Sequence, residues 1–207
     1  MFKTHINHHT YFSVIIIFVF ILQCRLCFSQ ITMHYKAYFT QPEKHYIEIE
    51  LQCKNLPSQE TNFILPVWSP GYYEILDFPK NIVDFTAKNK QGELLDCYKT
   101  SKNNWVVKNK SNTTISISYR YFANKKSVAE SNINSEKAFI MPNNMLMHIK
   151  DNINVPVNLQ ITPYKTWKHT NTGLKRINNN TFYADNFDIL YDSPIYLVNP
   201  YTINFNH

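Results

Sequence analysis

The sequence predicts an all-β fold, an antiparallel β-sandwich, and three observations support this prediction. Apolar and polar side chains alternate with a period of two along several stretches, as they do on strands that bury one face. No long window shows the 3.6-residue period of an amphipathic helix. Turn-forming Asn, Pro and Gly residues separate the stretches at short intervals. Hydrophobic residues make up 44% of the chain, which is too many for a disordered protein.

The strands are predicted in chain order from this alternation. Four stretches show it most clearly: 31–39, 47–53, 112–121 and 155–161. Shorter candidates follow the same rule: 62–65, 83–87, 94–98, 105–108, 138–141, 146–149, 174–177 and 180–183. Two packed sheets would cover each other's apolar faces and bury enough of the chain for a core, so we expect one independent β-sandwich domain over residues 30–185.

Residues 1–29 are predicted to be a secretory signal peptide. The apolar run 11–22 is shorter than the roughly 20 residues that a spanning helix needs, and small side chains at Cys27 and Ser29 fit cleavage before Gln30. An uncleaved membrane anchor is the alternative. Cleavage predicts a secreted or periplasmic protein. Loss of Lys3 and Arg25 would lower the net charge of +6 by two, and no basic cluster predicts nucleic-acid binding.

One block, 65–73, interrupts the alternating pattern with turn-forming and aromatic residues. Pro70 followed by Gly71 fits a type II turn, which requires a positive φ at the glycine position. Trp68, Tyr72 and Tyr73 would pack large rings around this turn. The block is either a structural corner between sheets or a surface that binds a peptide or protein ligand or borders a substrate cleft, and the residues alone leave both possibilities open.

The same block, LPVWSPGYY, resembles the P-x-W-x-P-G-x-Y signature in the N-terminal domain of the glycyl aminopeptidase family, which are thermolysin-like zinc peptidases. Further similarities follow in the family's order: 78–85, 87–92, 104–107, 118–124, 138–141, 159–174 and 188–194. The last of these contains Asp192, Ser193 and Pro194, which resemble the segment that leads into the family's catalytic domain. The resemblance covers roughly residues 31–198.

The resemblance implies a non-catalytic domain that packs on a peptidase catalytic domain in cis and helps to shape its cleft. Residues 186–207 would then be a linker or the start of that catalytic domain, which is expected to be absent from this chain. The zinc ion of the family's relatives would belong to the absent domain. A stand-alone secreted module that binds a ligand or protein is the alternative function.

No catalytic or metal-binding residue is predicted in this chain. A metallopeptidase of this type needs His-Glu-x-x-His, in which two histidines bind zinc and the glutamate activates water, and the sequence does not contain this motif. Three glycines also cannot form a glycine-rich phosphate loop. We therefore expect no enzymatic activity and no cofactor in this chain.

Cys53 and Cys97 would be the two cysteines of the mature chain. In an oxidising compartment they could form a disulfide. Since Cys53 falls on the apolar face of its predicted strand, a buried free thiol is the alternative.

Overall fold

The computed structural model describes residues 30–57, 59–69, 74–110 and 113–199. The predicted signal peptide lies outside these residues, as do Pro70, Gly71, Tyr72 and Tyr73. A compact unit begins at Ile31. None of the helices in the described part has the length and apolar content that crossing a membrane would require.

The described residues form fifteen strands and one short α-helix. The strands are β1 (Thr32–Tyr38), β2 (Tyr46–Lys54), β3 (Glu60–Ile64), β4 (Ile82–Asn89), β5 (Cys97–Ser101), β6 (Asn104–Lys108), β7 (Thr114–Phe122), β8 (Asn132–Ile133), β9 (Lys137–Ile140), β10 (His148–Ile149), β11 (Val157–Thr162), β12 (His169–Thr172), β13 (Lys175–Asn178), β14 (Thr181–Ala184) and β15 (Ile195–Val198). The helix is α1 (Phe187–Tyr191), and 3₁₀ turns cover Pro42–Lys44, Phe78–Asn81 and Pro142–Asn144.

The alternation in the sequence becomes a buried and an exposed strand face. In β2, Ile47, Ile49 and Leu51 are at most 2% exposed, whereas Glu48 on the opposite face is exposed. β2 pairs along its whole length with β7, where Ile49 lies opposite Tyr119. Successive side chains on a strand point to opposite faces, so this pairing directs both apolar rows into the same core.

The all-β sandwich is confirmed, with two differences of detail from the prediction. The described strands form three sheets rather than two, with the orders β13-β14-β11-β1-β2-β7-β4, β10-β3-β6-β5 and β12-β15-β9-β8. The strands are also not all antiparallel, because β1 and β11 pair in parallel, with Met33 opposite Val157. Alternation within each strand reports which face is buried, but it does not report the direction of a neighbouring strand.

The three sheets contribute to one apolar core. Phe85 of β4 stacks between sheets, with ring centroids 5.8 Å from Trp105 of β6 and 6.3 Å from Tyr119 of β7. On another side of the core, the Phe39 ring lies edge-on to Trp167 at 5.4 Å. Such aromatic pairs add packing energy beyond the area that they bury.

The C-terminal segment is built into the domain. β15 lies between β12 and β9 in its sheet, with Leu197 opposite both Thr170 and Ala138. Strand pairing therefore extends to Val198, beyond the boundary at residue 185 that the sequence analysis placed. Residues 200–207 lie outside the described residues.

The two cysteines are not bridged in the structure. Cys53 lies on the buried face of β2, with no exposed surface. Cys97 is partly exposed on β5, an edge strand of a different sheet. The buried free thiol that was the alternative for Cys53 is the state observed.

Candidate binding pocket

Two buried tyrosines of the large sheet fix the backbone that leads into a pocket. The Tyr119 hydroxyl donates to the Met145 carbonyl at 2.8 Å and accepts from the Met147 amide at 3.2 Å. The Tyr35 hydroxyl donates to the Met147 carbonyl. Burial raises the pKa of both hydroxyls, so both remain neutral donors. These contacts set the positions of the 3₁₀ turn Pro142–Asn144 and of β10 on either side.

Two neighbouring asparagines in this turn have different roles. Asn144 has no exposed surface; its Nδ2 donates to the Ala129 carbonyl at 3.0 Å and its Oδ1 accepts from Ser131 Oγ at 2.8 Å. Asn143 is 3% exposed, and its Nδ2 donates to Ser69 Oγ. Asn144 therefore holds the chain around Ala129 in place, whereas Asn143 holds the block that contains Trp68.

Helix α1 supplies the opposite wall. Asn186 caps its first turn by accepting from the Ile189 amide at 2.9 Å, and the Ser193 hydroxyl donates to the Ile189 carbonyl at 2.8 Å at its end. Inside the helix, the Phe187 ring lies 4.2 Å from Tyr191 and 4.9 Å from His148 of β10. These contacts place Tyr191 and His148 on the same pocket.

The pocket has a volume of about 800 Å³. Its described lining comes from the block 66–69, from the Met141 and Asn143 region, from His148, and from α1 with the residues after it. Apolar side chains at its edge are unusually exposed: Trp68 is 50% exposed, Val128 79% and Ile153 38%. Exposed apolar surface that surrounds a concavity is typical of a binding site.

The charged groups of the pocket are acidic. Asp188 and Asp192 are exposed carboxylates on its lining, and no lysine or arginine is present among the described lining residues. Burial lowers the pKa of His148 to about 4, against a smaller opposing effect of Asp151 and Asp188. Burial also raises the pKa of Tyr191 well above its ordinary value. At neutral pH both side chains are uncharged, so the pocket carries negative charge only.

The structure brings together residues that the sequence analysis had assigned to two separate features. Trp68, a predicted binding residue, and Asp192 and Pro194 of the predicted domain junction line the same pocket. Ser193 is 8% exposed and supports the end of α1. The remaining predicted binding residues, Pro70, Gly71, Tyr72 and Tyr73, lie outside the described residues.

Sequence reasoning missed Asn143, His148, Asp188 and Tyr191. Asn143 does not differ in the sequence from the other turn-forming asparagines, and His148 has no second histidine at the spacing of a zinc motif. Asp188 and Tyr191 were within the segment that resembles the family's junction, but nothing in the sequence connected them to Trp68. Among the described residues, no group of three or more His, Cys, Asp and Glu side chains could hold a metal ion.

Comparisons with known proteins agree with the fold. The family model described as the Peptidase M61 N-terminal domain matches residues 34–199. An aminopeptidase N family protein from Idiomarina loihiensis has a similar structure, with a TM-score of 0.75 and 23% identity over 81% of this chain and 29% of that chain. An M1 zinc metallopeptidase from Deinococcus radiodurans aligns at a TM-score of 0.45 and 8% identity, over 82% of this chain and 42% of that chain, which is too remote to support an argument. No curated protein matches the chain significantly.

Proposed function

Because this chain belongs to the Peptidase M61 N-terminal domain family, we propose that it is the non-catalytic β-sandwich of a secreted glycyl-aminopeptidase-type zinc metallopeptidase. In this proposal the domain packs on a catalytic domain in cis and helps to shape its cleft. The chain spans less than a third of the Idiomarina protein that it resembles, so a catalytic domain has to be supplied by sequence outside these residues.

The observation that supports this proposal is the shared location of Trp68 and Asp192 on one pocket. Asp192 belongs to the segment that resembles the entry into a catalytic domain, and Trp68 belongs to the most specific block of the family resemblance. The chain after Asp192 first forms β15, so a following domain would leave the sandwich at the end of that strand. The exposed apolar rings and aliphatic side chains around the pocket suit a packed domain interface.

Zinc would be held by the catalytic domain in this proposal. The described residues do not fit a zinc site, since they contain no group of three or more candidate ligands, and the sequence contains no His-Glu-x-x-His. The purified protein with added Zn²⁺ should therefore not hydrolyse glycyl or alanyl p-nitroanilides. Turnover that a chelator abolishes would contradict the proposal.

The proposed packing on a catalytic domain is tested on a protein that includes the sequence beyond His207. Sequencing the transcript beyond the His207 codon should reveal an in-frame His-Glu-x-x-His. In the protein that this longer frame encodes, Trp68→Ala should lower kcat/KM for alanyl substrates several-fold, because the interface beside the cleft loses its largest side chain. Tyr98→Ala is the matched control, since Tyr98 is a 43% exposed aromatic residue on β5 that does not line the pocket. Equal kinetics in the two variants would contradict the packing role.

A stand-alone binding module is the second candidate, and the open, partly apolar pocket is the observation that favours it. A transcript that ends without a metallopeptidase motif would favour this candidate over the first. Both candidates require export from the cytoplasm. The mature protein should begin at Gln30 in N-terminal sequencing, and a mature protein that begins at Met1 would contradict the proposed secretion.

A further inference from the structure

The sheet β12-β15-β9-β8 buries one face in the core and leaves its outer face exposed. On β15, Ile195 and Leu197 are at most 1% exposed, whereas Tyr196 between them is 36% exposed. Tyr196 lies opposite Phe139 of β9, which is partly exposed. Residues that lie opposite each other in a strand pair share a face, so these two rings and the partly exposed Val198 form the apolar centre of the outer face.

The border of this outer face is polar. Lys137 of β9 and His169 of β12 lie opposite Val198, on either side of β15, and both are exposed. Asn171 of β12 lies opposite Tyr196 and is also exposed. None of the four strands contains an aspartate or a glutamate. An apolar, aromatic centre within a polar border is the usual arrangement of a protein interface.

The two ends of β15 connect this face to the pocket and to the exit of the chain. Pro194, which lines the pocket, directly precedes β15, and the chain leaves the sheet after Val198. The exit lies beside β12, because Asn199 Oδ1 accepts from the Lys168 amide at 3.3 Å, and the family match also ends at residue 199. A strand of four residues is only about 10 Å long, whereas a domain of 100 residues has a radius of gyration of about 13 Å. A domain that follows the exit and covers the pocket therefore spans β15 from end to end.

We propose that a catalytic domain in cis docks on the outer face of this sheet, with Tyr196 and Phe139 at the centre of the contact. The inner face of the sheet is filled by the core, so the outer face is the one that a domain spanning β15 can cover. This inference rests on the proposed function, because it needs a catalytic domain that follows the chain and reaches the pocket. It adds a contact on the strands to the contact around Trp68.

Hydroxyl-radical footprinting tests this contact by comparing the chain alone with the longer protein that includes the catalytic domain. Tyr196 and Phe139 should be oxidised several-fold less in the longer protein, because the docked domain covers them. Tyr98 is 43% exposed on β5, outside the proposed contact, and should be oxidised equally in both proteins. Equal oxidation of Tyr196 in the two proteins would overturn the proposal. Protection that appears only at high protein concentration would identify a second copy as the occupant and would also overturn it.

Trp68 distinguishes a failure of this inference from a failure of the proposed function. This residue lines the pocket, so its oxidation reports the packing on which the proposed function depends. Protection of Trp68 without protection of Tyr196 would overturn the contact on the sheet alone. Equal oxidation of both residues in the two proteins, or a reading frame that ends without a peptidase domain, would overturn both proposals.

A variant tests the central place of Tyr196. Tyr196→Asp puts a charge in the middle of the proposed contact, so oxidation of Phe139 in the longer protein should rise to nearly that in the isolated chain of the same variant. Tyr98→Asp is the matched control, and Phe139 should remain protected in it. Both tyrosines are exposed, so both variants should fold. Protection of Phe139 that persists in Tyr196→Asp would overturn the assignment of Tyr196 to the centre of the contact.

Discussion

Lowering the pH from 7 to 5 should destabilise the folded protein through His148. This residue lies on β10 against the Phe187 ring, and burial lowers its pKa from the ordinary value of 6.5 to about 4. The nearby carboxylates of Asp151 and Asp188 oppose this effect but are weaker. Between these two pKa values the unfolded chain binds a proton that the folded chain does not. Stability is therefore lost as the pH falls through 6.5, and the loss is complete below about 4.

The size of the loss follows from the two pKa values. A fall from 6.5 to about 4 corresponds to roughly 3 kcal/mol when the loss is complete, and to about 2 kcal/mol between pH 7 and pH 5. Urea unfolding of the purified protein at both pH values, followed by tryptophan fluorescence, measures this change. Other groups titrate over the same range, so the informative quantity is the difference between the wild type and His148→Gln. The variant should lose about 2 kcal/mol less than the wild type.

The reasoning is refuted if His148→Gln loses as much stability as the wild type between the two pH values. His169→Gln serves as the control, because His169 is an exposed histidine on β12. Its loss between pH 7 and pH 5 should equal that of the wild type. A control variant that lost less would mean that any histidine produces the effect and that burial is not the cause.

Three further predictions concern the core, the cysteines and a turn. Tyr119→Phe should lower the free energy of unfolding by about 1–3 kcal/mol, because Met145 O and Met147 N lose their partner; a urea midpoint like that of the wild type would count against this anchor. Cys53 should react with a thiol reagent only after unfolding, whereas partly exposed Cys97 should react in the native protein, and rapid native labelling of both would contradict the burial of Cys53. Gly92→Ala should lower the free energy of unfolding by about 1 kcal/mol, because the φ of Gly92 is +88° and an alanine is strained there. No atom lies near enough for the added methyl group to clash, so an unchanged urea midpoint would refute the backbone strain.

The strands that could be predicted are those whose own residues alternate between apolar and polar side chains. β2 and β7 have strict alternation because one face of each meets the core and the other meets water, so their residues reveal both the strand and its orientation. β12, with the residues His169 to Thr172, could not be predicted, because its side chains are polar and largely exposed and it becomes a strand only by pairing with β15. The parallel pairing of β1 with β11 likewise depends on distant sequence.

The pocket was only partly predictable for a related reason. Trp68 and Asp192 stand in blocks with recognisable residue patterns, so each could be singled out from the sequence. Asn143, His148 and Tyr191 belong to the pocket because the fold brings the turn Pro142–Asn144, β10 and α1 together beside Trp68. That proximity is a property of the three-dimensional fold, and no residue pattern records it.

The parallel pairing of β1 with β11 has a consequence for how the protein folds during synthesis. β1 is the first strand of the domain to leave the ribosome, yet it occupies the middle of the large sheet, between β2 and β11. Its second edge has no partner until β11 has been made, and the hairpin with β2 presents unpaired backbone groups in the interval. Pairing between strands that are far apart in the sequence is slow, and an edge left unpaired in the interval can pair with other chains. We expect productive folding to depend on shielding this edge until most of the domain has been synthesised.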